Sequence, residues 1–361
     1  MMFDLVAMPD PFAAALREHR AHEVVDAPAA APEALYARAM ARVAVGREDD
    51  ARADFTAASP TLGDICRVEL AFMDVRQRSA LKDALVQASL VADRAEAGSI
   101  LAARAYHVIG LAEGKLRRTN AAADALLKAI DICTRHDRKL ARAAVYDTLG
   151  MLEAARGRLD YAMNCFALSL VDKTLLGDRQ GMAITLGNLG RVHLRTGRFR
   201  DAIDCFARDL DIARELGDAR GEARMHEDLG RAYMGLEDFE RAASSLDACR
   251  TSAEKHGFAD LAFFAAKDMA LLALMCKDVR QAETMLNEAE RCMPTQAEPY
   301  FELLLTAARG DVLLARGDAA AADMLQRAVD GFAQADLPDL EIPARISLAK
   351  ALMAGQLKAS A

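Results

Sequence analysis

Apolar side chains recur along this chain at the spacing of one helix face, with charged and polar residues filling the positions between. From Asp178 to Gly217, the residues Ile184, Leu186, Leu189, Val192 and Leu194 form one stripe. Beyond Gly197 a second stripe follows, made of Phe199, Ala202, Ile203, Phe206, Leu210 and Ile212. Such spacing predicts two amphipathic helices, the second starting at about Phe199. Asp178 is placed to N-cap the first helix by accepting bonds from its unpaired N–H groups, and Gly197 to end it in the left-handed conformation. Alternating Val/Ile/Thr runs and Asn-Gly turns are scarce, so no strands are expected.

The same pattern returns every 40 residues. Leu149-Gly150, Leu189-Gly190 and Leu229-Gly230 mark the period, and Ile109-Gly110 precedes them. Each is followed in register by Leu159, Phe199 and Phe239, then Ala162, Ala202 and Ala242, then Phe166, Phe206 and Leu246. The units close on Gly177-Asp178, Gly217-Asp218 and Gly257. None of the nine prolines lies between Thr61 and Met293, which leaves that stretch free for unbroken helices. One helix pair cannot bury its own apolar stripes, but stacked copies can.

Leu-Gly followed by Gly197, Phe199, Ala202 and Phe206 resembles the tetratricopeptide repeat, and the Leu-Gly-Asp linkers resemble its longer, 40-residue subclass of LGN/Pins type, found in signalling adaptors and bacterial regulatory proteins. The resemblance implies an all-α solenoid, a right-handed superhelix of about seven hairpins with a C-terminal capping helix. It is strongest over 100–290 and continues through Gly310, Gly317, Ala322 and Leu325. Gly46, Ala51 and Phe55 suggest a first repeat at 32–60, while 61–98 reads as helical with slipped columns. Leu186 stands where the family has Trp, and Gly-Asp where it has proline. The expected organisation is an N-terminal helix and linker at 1–31, degenerate repeats at 32–98, the array at 99–337 and a cap at 338–361. Asp10-Pro11 is expected to open the N-terminal helix, with Phe12, Leu16 and Val24 on its apolar side. The cap is expected to run from Pro343 to Leu357 with Ile346, Leu348, Leu352 and Met353 as its stripe.

Composition narrows the function. The formal charge is −8, from 46 basic and 54 acidic residues, which argues against nucleic acid and anionic membrane as partners. Few aromatics, 5% of the chain, are available for base stacking. The start of the chain lacks the basic and apolar regions of a signal peptide, and no stretch is apolar enough to span a bilayer. The seven cysteines are widely spaced without a Cys-x-x-Cys pair, so they read as small apolar side chains in a reducing cytoplasm rather than a disulfide or zinc framework.

The resemblance also implies a ligand face, because the first helices of successive tetratricopeptide hairpins line a concave groove. The matching columns here hold Arg104, His107 and Lys115; Asp147 and Met151; Ile184, Arg191 and Arg195; Arg224, Glu227, Arg231 and Met234; and Phe264, Lys267, Leu271 and Met275. Asn188 occupies a neighbouring column from which family asparagines bond peptide backbone. The set is richer in arginine than the chain, and arginine forks suit carboxylates. An acidic or C-terminal peptide is therefore the expected ligand, against the plainer reading that these charges pair locally. Gly187 and Arg191 depart from the clamp that grips chaperone tails.

Other chemistry is weaker. Gly110 to Lys115 resembles a phosphate loop but is one residue short and lacks the strand and the Ser/Thr. His19 and His22 share a helix face without further metal ligands nearby. No catalytic motif or cofactor site is expected. The leading expectation is a non-enzymatic, cytoplasmic scaffold that binds a protein or peptide partner. Its alternative is a sensor module controlling a cyclase, kinase or DNA-binding output domain. Self-association through the ends of the array, or insertion of residues 1–26 into the groove, is a further reading.

Overall fold

A computed structural model describes residues 5–8, 12–17, 20–294 and 299–359, with the side chains of Arg17 and of residues 355–359 left aside. Asp10 and Pro11, of the expected N-terminal cap, and His19, of the His19/His22 pair, lie outside the described residues. All regular structure among the described residues is helical. After α1 (Phe12–Arg17) and a short 3₁₀ turn come α2 (Pro32–Ala44), α3 (Glu48–Leu62), α4 (Asp64–Arg76) and α5 (Leu81–Arg94). Then follow α6 (Ile100–Lys115), α7 (Thr119–Arg135), α8 (Lys139–Ala155), α9 (Leu159–Leu176) and α10 (Arg179–Arg195). The remainder is α11 (Phe199–Leu216), α12 (Ala219–Gly235), α13 (Phe239–His256), α14 (Ala259–Met275), α15 (Val279–Arg291), α16 (Pro299–Arg316), α17 (Ala321–Gln334) and α18 (Pro338–Ala359).

From α2 to α17 these make eight consecutive helix pairs, one more than the seven expected. The additional pair is α4/α5: the columns of 61–98 slip, yet Val68, Ala71, Val75, Ala84, Ala88 and Val91 are all buried in one core. The chain divides into two compact units, Met1–Val192 and His193–Ala361.

Each pair is held by the contrast between a small residue and a large one. Ala122, Ala162, Ala202, Ala242 and Ala282, one per repeat, are fully buried. Opposite the Leu-Gly column sit Leu126, Phe166, Leu246 and Leu325. A Cβ on Gly150 would lie 2.8 Å from the Phe166 ring, and one on Gly230 2.7 Å from Leu246, so the missing side chain is what lets the large one in. Where Ala270 replaces this glycine it too is buried, with Leu286 in the same core. The caps are those expected from sequence. Asp178 accepts from the Gly181 N–H at 2.8 Å, and Asp218 does the same for Gly221. Gly177, Gly217 and Gly257 end their helices in the left-handed region.

The last helix departs from expectation. It starts at Pro338, five residues before Pro343, which lies inside it. Pro338 occupies the first helical position, where no N–H is needed, and Asp339 and Glu341 favour the positive helix end. Ala344, Leu348 and Ala351 pack against Leu325, Val329 and Phe332. Of the expected stripe only Leu348 is buried, while Ile346, Leu352 and Met353 are exposed along with Ile342.

Candidate functional site

In the first unit the expected ligand residues are largely consumed by helix-to-helix bonding. Arg104 of α6 is buried and forks onto Glu69 of α4, with N–O distances of 3.0 and 2.6 Å. Its guanidinium also lies 4.1 Å from the centre of the Phe72 ring. His107, one turn on, is fully buried; its Nε2 is 2.9 Å from Thr148 Oγ1 on α8, and Thr148 donates in turn to the Ala144 carbonyl. Burial, then the neighbouring Arg104 charge, holds the His107 pKa well below its ordinary value. The neutral ring therefore continues a chain of bonds from α4 through α6 to α8. Lys115 donates to the Val75 and Arg76 carbonyls at the end of α4. Asp147 is bonded by Lys173 and by Thr185 Oγ1. Asn188 accepts from Arg191 at 2.8 Å, one turn on along the same helix. Ile184 and Met151 remain exposed.

The described N-terminal residues also lie on this unit. Leu5 packs against the cores formed around α4 to α8, and Val6 and Met8 against the core of α2 to α4.

In the second unit Arg195 bonds Asp339 at the start of α18, 3.0 Å away. Arg224 is exposed and makes no ion pair among the described residues. Phe264 lies half-buried against Tyr300 and Phe301, and Met275 is exposed. Glu227, Arg231 and Lys267 form a polar cluster on α12 and α14 with Asp228 and Asp268, two residues absent from the expected set. Arg231 lies 3.8 Å from both Glu227 and Asp228, and its side chain is 47% exposed. Lys267 bonds Asp268 Oδ1. Asp228 and Asp268 are each 2% exposed, and the Asp268 Oδ2 atom is buried without a hydrogen-bond donor. Burial, followed by the Asp228 and Asp268 charges, pushes Glu227 well above the carboxylate range. Burial opposes ionisation of Asp268 as well, but Lys267 and Arg231 outweigh it and hold Asp268 low.

The missed acids were within reach of the repeat itself. Asp228 and Asp268 stand one and two periods after Asn188, in the column already marked for ligand contact. Glu69 had no such signal, because it lies in the slipped segment. Among the described residues no group of three His, Cys, Asp or Glu side chains is arranged to hold a metal ion. No described helix is long and apolar enough to cross a membrane. Five cysteines are buried, whereas Cys276 is exposed and Cys292 is partly so.

Tetratricopeptide repeat models match residues 142–215 and 181–255, and another matches 103–136. No curated protein matches the chain. Among solved structures, it is similar to a signal transduction ATPase with numerous domains from Pyrococcus horikoshii that carries a tetratricopeptide repeat sensor. The TM-score is 0.65 at 15% identity, over 93% of this chain and 55% of that one. It is also similar to the apo form of the quorum sensor NprR from B. thuringiensis, with a TM-score of 0.60 at 9% identity, over 94% of this chain and 99% of that one. A Rap protein complexed with competence and sporulation factor gives 0.56 at 15% identity, over 95% and 98%. These likenesses establish an all-α, tetratricopeptide-like solenoid fold.

Proposed function

We propose that this chain is a non-enzymatic interaction module whose first-helix faces bind a peptide segment of a partner protein. The observation that carries this reading is the α12–α14 cluster. Its ionisable groups are partly open through Arg231 and lie in the columns that the repeat resemblance marks for ligand contact. An acidic or C-terminal segment, the ligand expected from the arginines, would have to displace the carboxylates that Arg104, Arg231 and Lys267 already hold. Arg224 is the member of that set best placed to meet one. The 40-residue spacing of the Gly177, Gly217 and Gly257 caps supports the longer subclass of repeat seen in signalling adaptors. A cytoplasmic setting accords with the buried thiols.

The alternative is a sensor module that governs an output domain, and the fold it shares with the archaeal ATPase sensor and the quorum sensor favours it. Both readings need a ligand face. They separate on whether a bound peptide alters the activity of an associated cyclase, kinase or DNA-binding domain. For the shared premise, partners captured from the native source are reduced to their binding peptides, and affinity is measured by calorimetry. Joint Arg191→Ala, Arg195→Ala and Arg231→Ala substitution is expected to weaken binding at least about ten-fold, the effect of losing one charge-assisted bond. Unchanged affinity would overturn the assignment of this face. The packing of Leu5, Val6 and Met8 favours an N-terminal segment lying over the first unit. Deleting residues 1–30 is then expected to raise peptide affinity; no change in affinity or oligomer mass would remove that idea.

A further inference from the structure

One second helix breaks the pattern of its sisters. In α11 the outward columns hold Asp201, Asp204, Arg208, Asp211 and Glu215, and in α7 they include Asp124, Lys128, Asp131 and Arg135, all exposed. The same columns of α9 hold Tyr161, Asn164, Leu168, Val171 and Leu175. Tyr161, Leu168, Val171 and Leu175 are each between 44% and 68% exposed. From Tyr161 to Leu176 the only charged residues are Asp172 and Lys173, and both turn inward. Asp172 accepts the fork of Arg142, and Lys173 bonds Asp147 and Thr185. A helix that is apolar all round is normally a buried one. Here Ala162 and Phe166 fill the repeat core on the inner side, while the outer side is open to water.

Tyr161, Asn164, Leu168, Val171 and Leu175 follow one another at alternating steps of three and four residues. That is the heptad spacing by which one helix lays a seam against another, and Asn164, the polar member, is the kind of seam residue that fixes register. Beside the stripe lies an apolar groove of about 420 Å³, lined by Ala167, Leu170, Val171, Thr174, Leu175 and Leu189. Leu170 and Leu189 are half-buried there, whereas their counterparts one repeat on, Leu210 and Leu229, are buried. Protruding side chains and a hollow to receive them thus share one face, as a surface that closes on its own copy across a two-fold axis requires. Charge points to the same occupant. An uncharged stripe gives an acidic or basic peptide nothing to select, and paired with itself it sets no like charges together.

We propose that α9 is a homodimerisation helix, whose outer stripe packs against the same stripe of a second copy, with Tyr161 and Leu168 of each copy seated toward the other's groove. This puts self-association on the flank of the array rather than at its ends, and leaves the first-helix columns to a peptide. A single helix stripe falls short of the about 800 Å² per partner that a standard interface buries, so the dimer belongs to the weak, concentration-dependent class.

The test is sedimentation equilibrium of the whole chain over a series of concentrations, where a reversible monomer–dimer equilibrium is expected. Leu168→Arg, Val171→Asp and Leu175→Glu together write into α9 the residues that α11 carries in the same columns, so the repeat is known to tolerate them there. With helicity checked by circular dichroism, the triple variant is expected to weaken dimerisation at least about 100-fold. Leu168→Arg alone, at the middle of the stripe, is expected to weaken it about ten-fold and carries the test if the triple variant loses helicity. Ile346→Arg, on the exposed side of α18 at the end of the array, is expected to leave the dimer unchanged. A parent chain that stays monomeric into the millimolar range overturns the proposal. A dimer that survives the α9 substitutions overturns it as well, and one lost through Ile346→Arg alone moves the contact to the end of the array.

Discussion

Arg104 shows what a charged side chain must find before it can leave water. Both arms of its fork meet Glu69, and its flat face meets Phe72. Removing one partner strands the other as a buried charge, so Glu69→Ala is expected to cost about 3–5 kcal/mol in urea unfolding. Replacing both by Met should recover most of that loss; a double variant no more stable than the single one would show that the pair is worth more than its desolvation. Glu227 makes the opposite case, an acid stabilised with its proton on. Its pKa is raised on folding, so its contribution is complete below the ordinary Glu value of 4.5 and is lost as pH rises through the raised value. Glu227→Gln keeps a neutral side chain at every pH. Its melting temperature relative to the parent should therefore climb as pH increases from the carboxylate range through neutrality. A pH-independent difference would mean that Glu227 is ionised in the folded chain.

At the scale of the helix pair, the contacts are set by columns rather than by individual residues. The Gly150 column admits the Phe166 ring because it offers no Cβ. Gly150→Ala is expected to cost about 1–3 kcal/mol as an overpacked contact, and a companion Phe166→Leu should relieve part of it. Strict additivity of the two changes in urea unfolding would show that they do not meet. These columns are also why so much of the fold was legible in advance. Periodicity, aspartate caps and terminal glycines are local signals, and each repeat restates them. The α4/α5 pair was harder to place because its columns slip. The true start of α18 was obscured because Pro343 resembles a boundary when the packing of Ala344 and Leu348 is out of view. The ligand face was legible only as a set of positions. Which of its charges were already spent depended on Glu69, in the slipped segment 35 residues from Arg104, and on Asp228 and Asp268, which lie beside Arg231 and Lys267.

Across the whole molecule, stability in stacked repeats is a sum over neighbouring interfaces, so opening can be local. The buried cysteines turn this into something measurable. Cys66, Cys133, Cys165, Cys205 and Cys249 lie in five successive helix pairs, and burial pushes their thiols up to about 11 or 12. Alkylation requires a thiolate that the reagent can reach, so in the native chain each reacts only when its own pair opens. Pulsed alkylation followed by peptide mass spectrometry should modify Cys276 first and Cys292 next, with the five buried thiols following at rates of their own. One shared rate for all five would mean that the chain opens as a single block. The same small apolar side chains that fill the repeats thus act as a row of clocks, each timing the exposure of one segment without any cysteine having to be engineered.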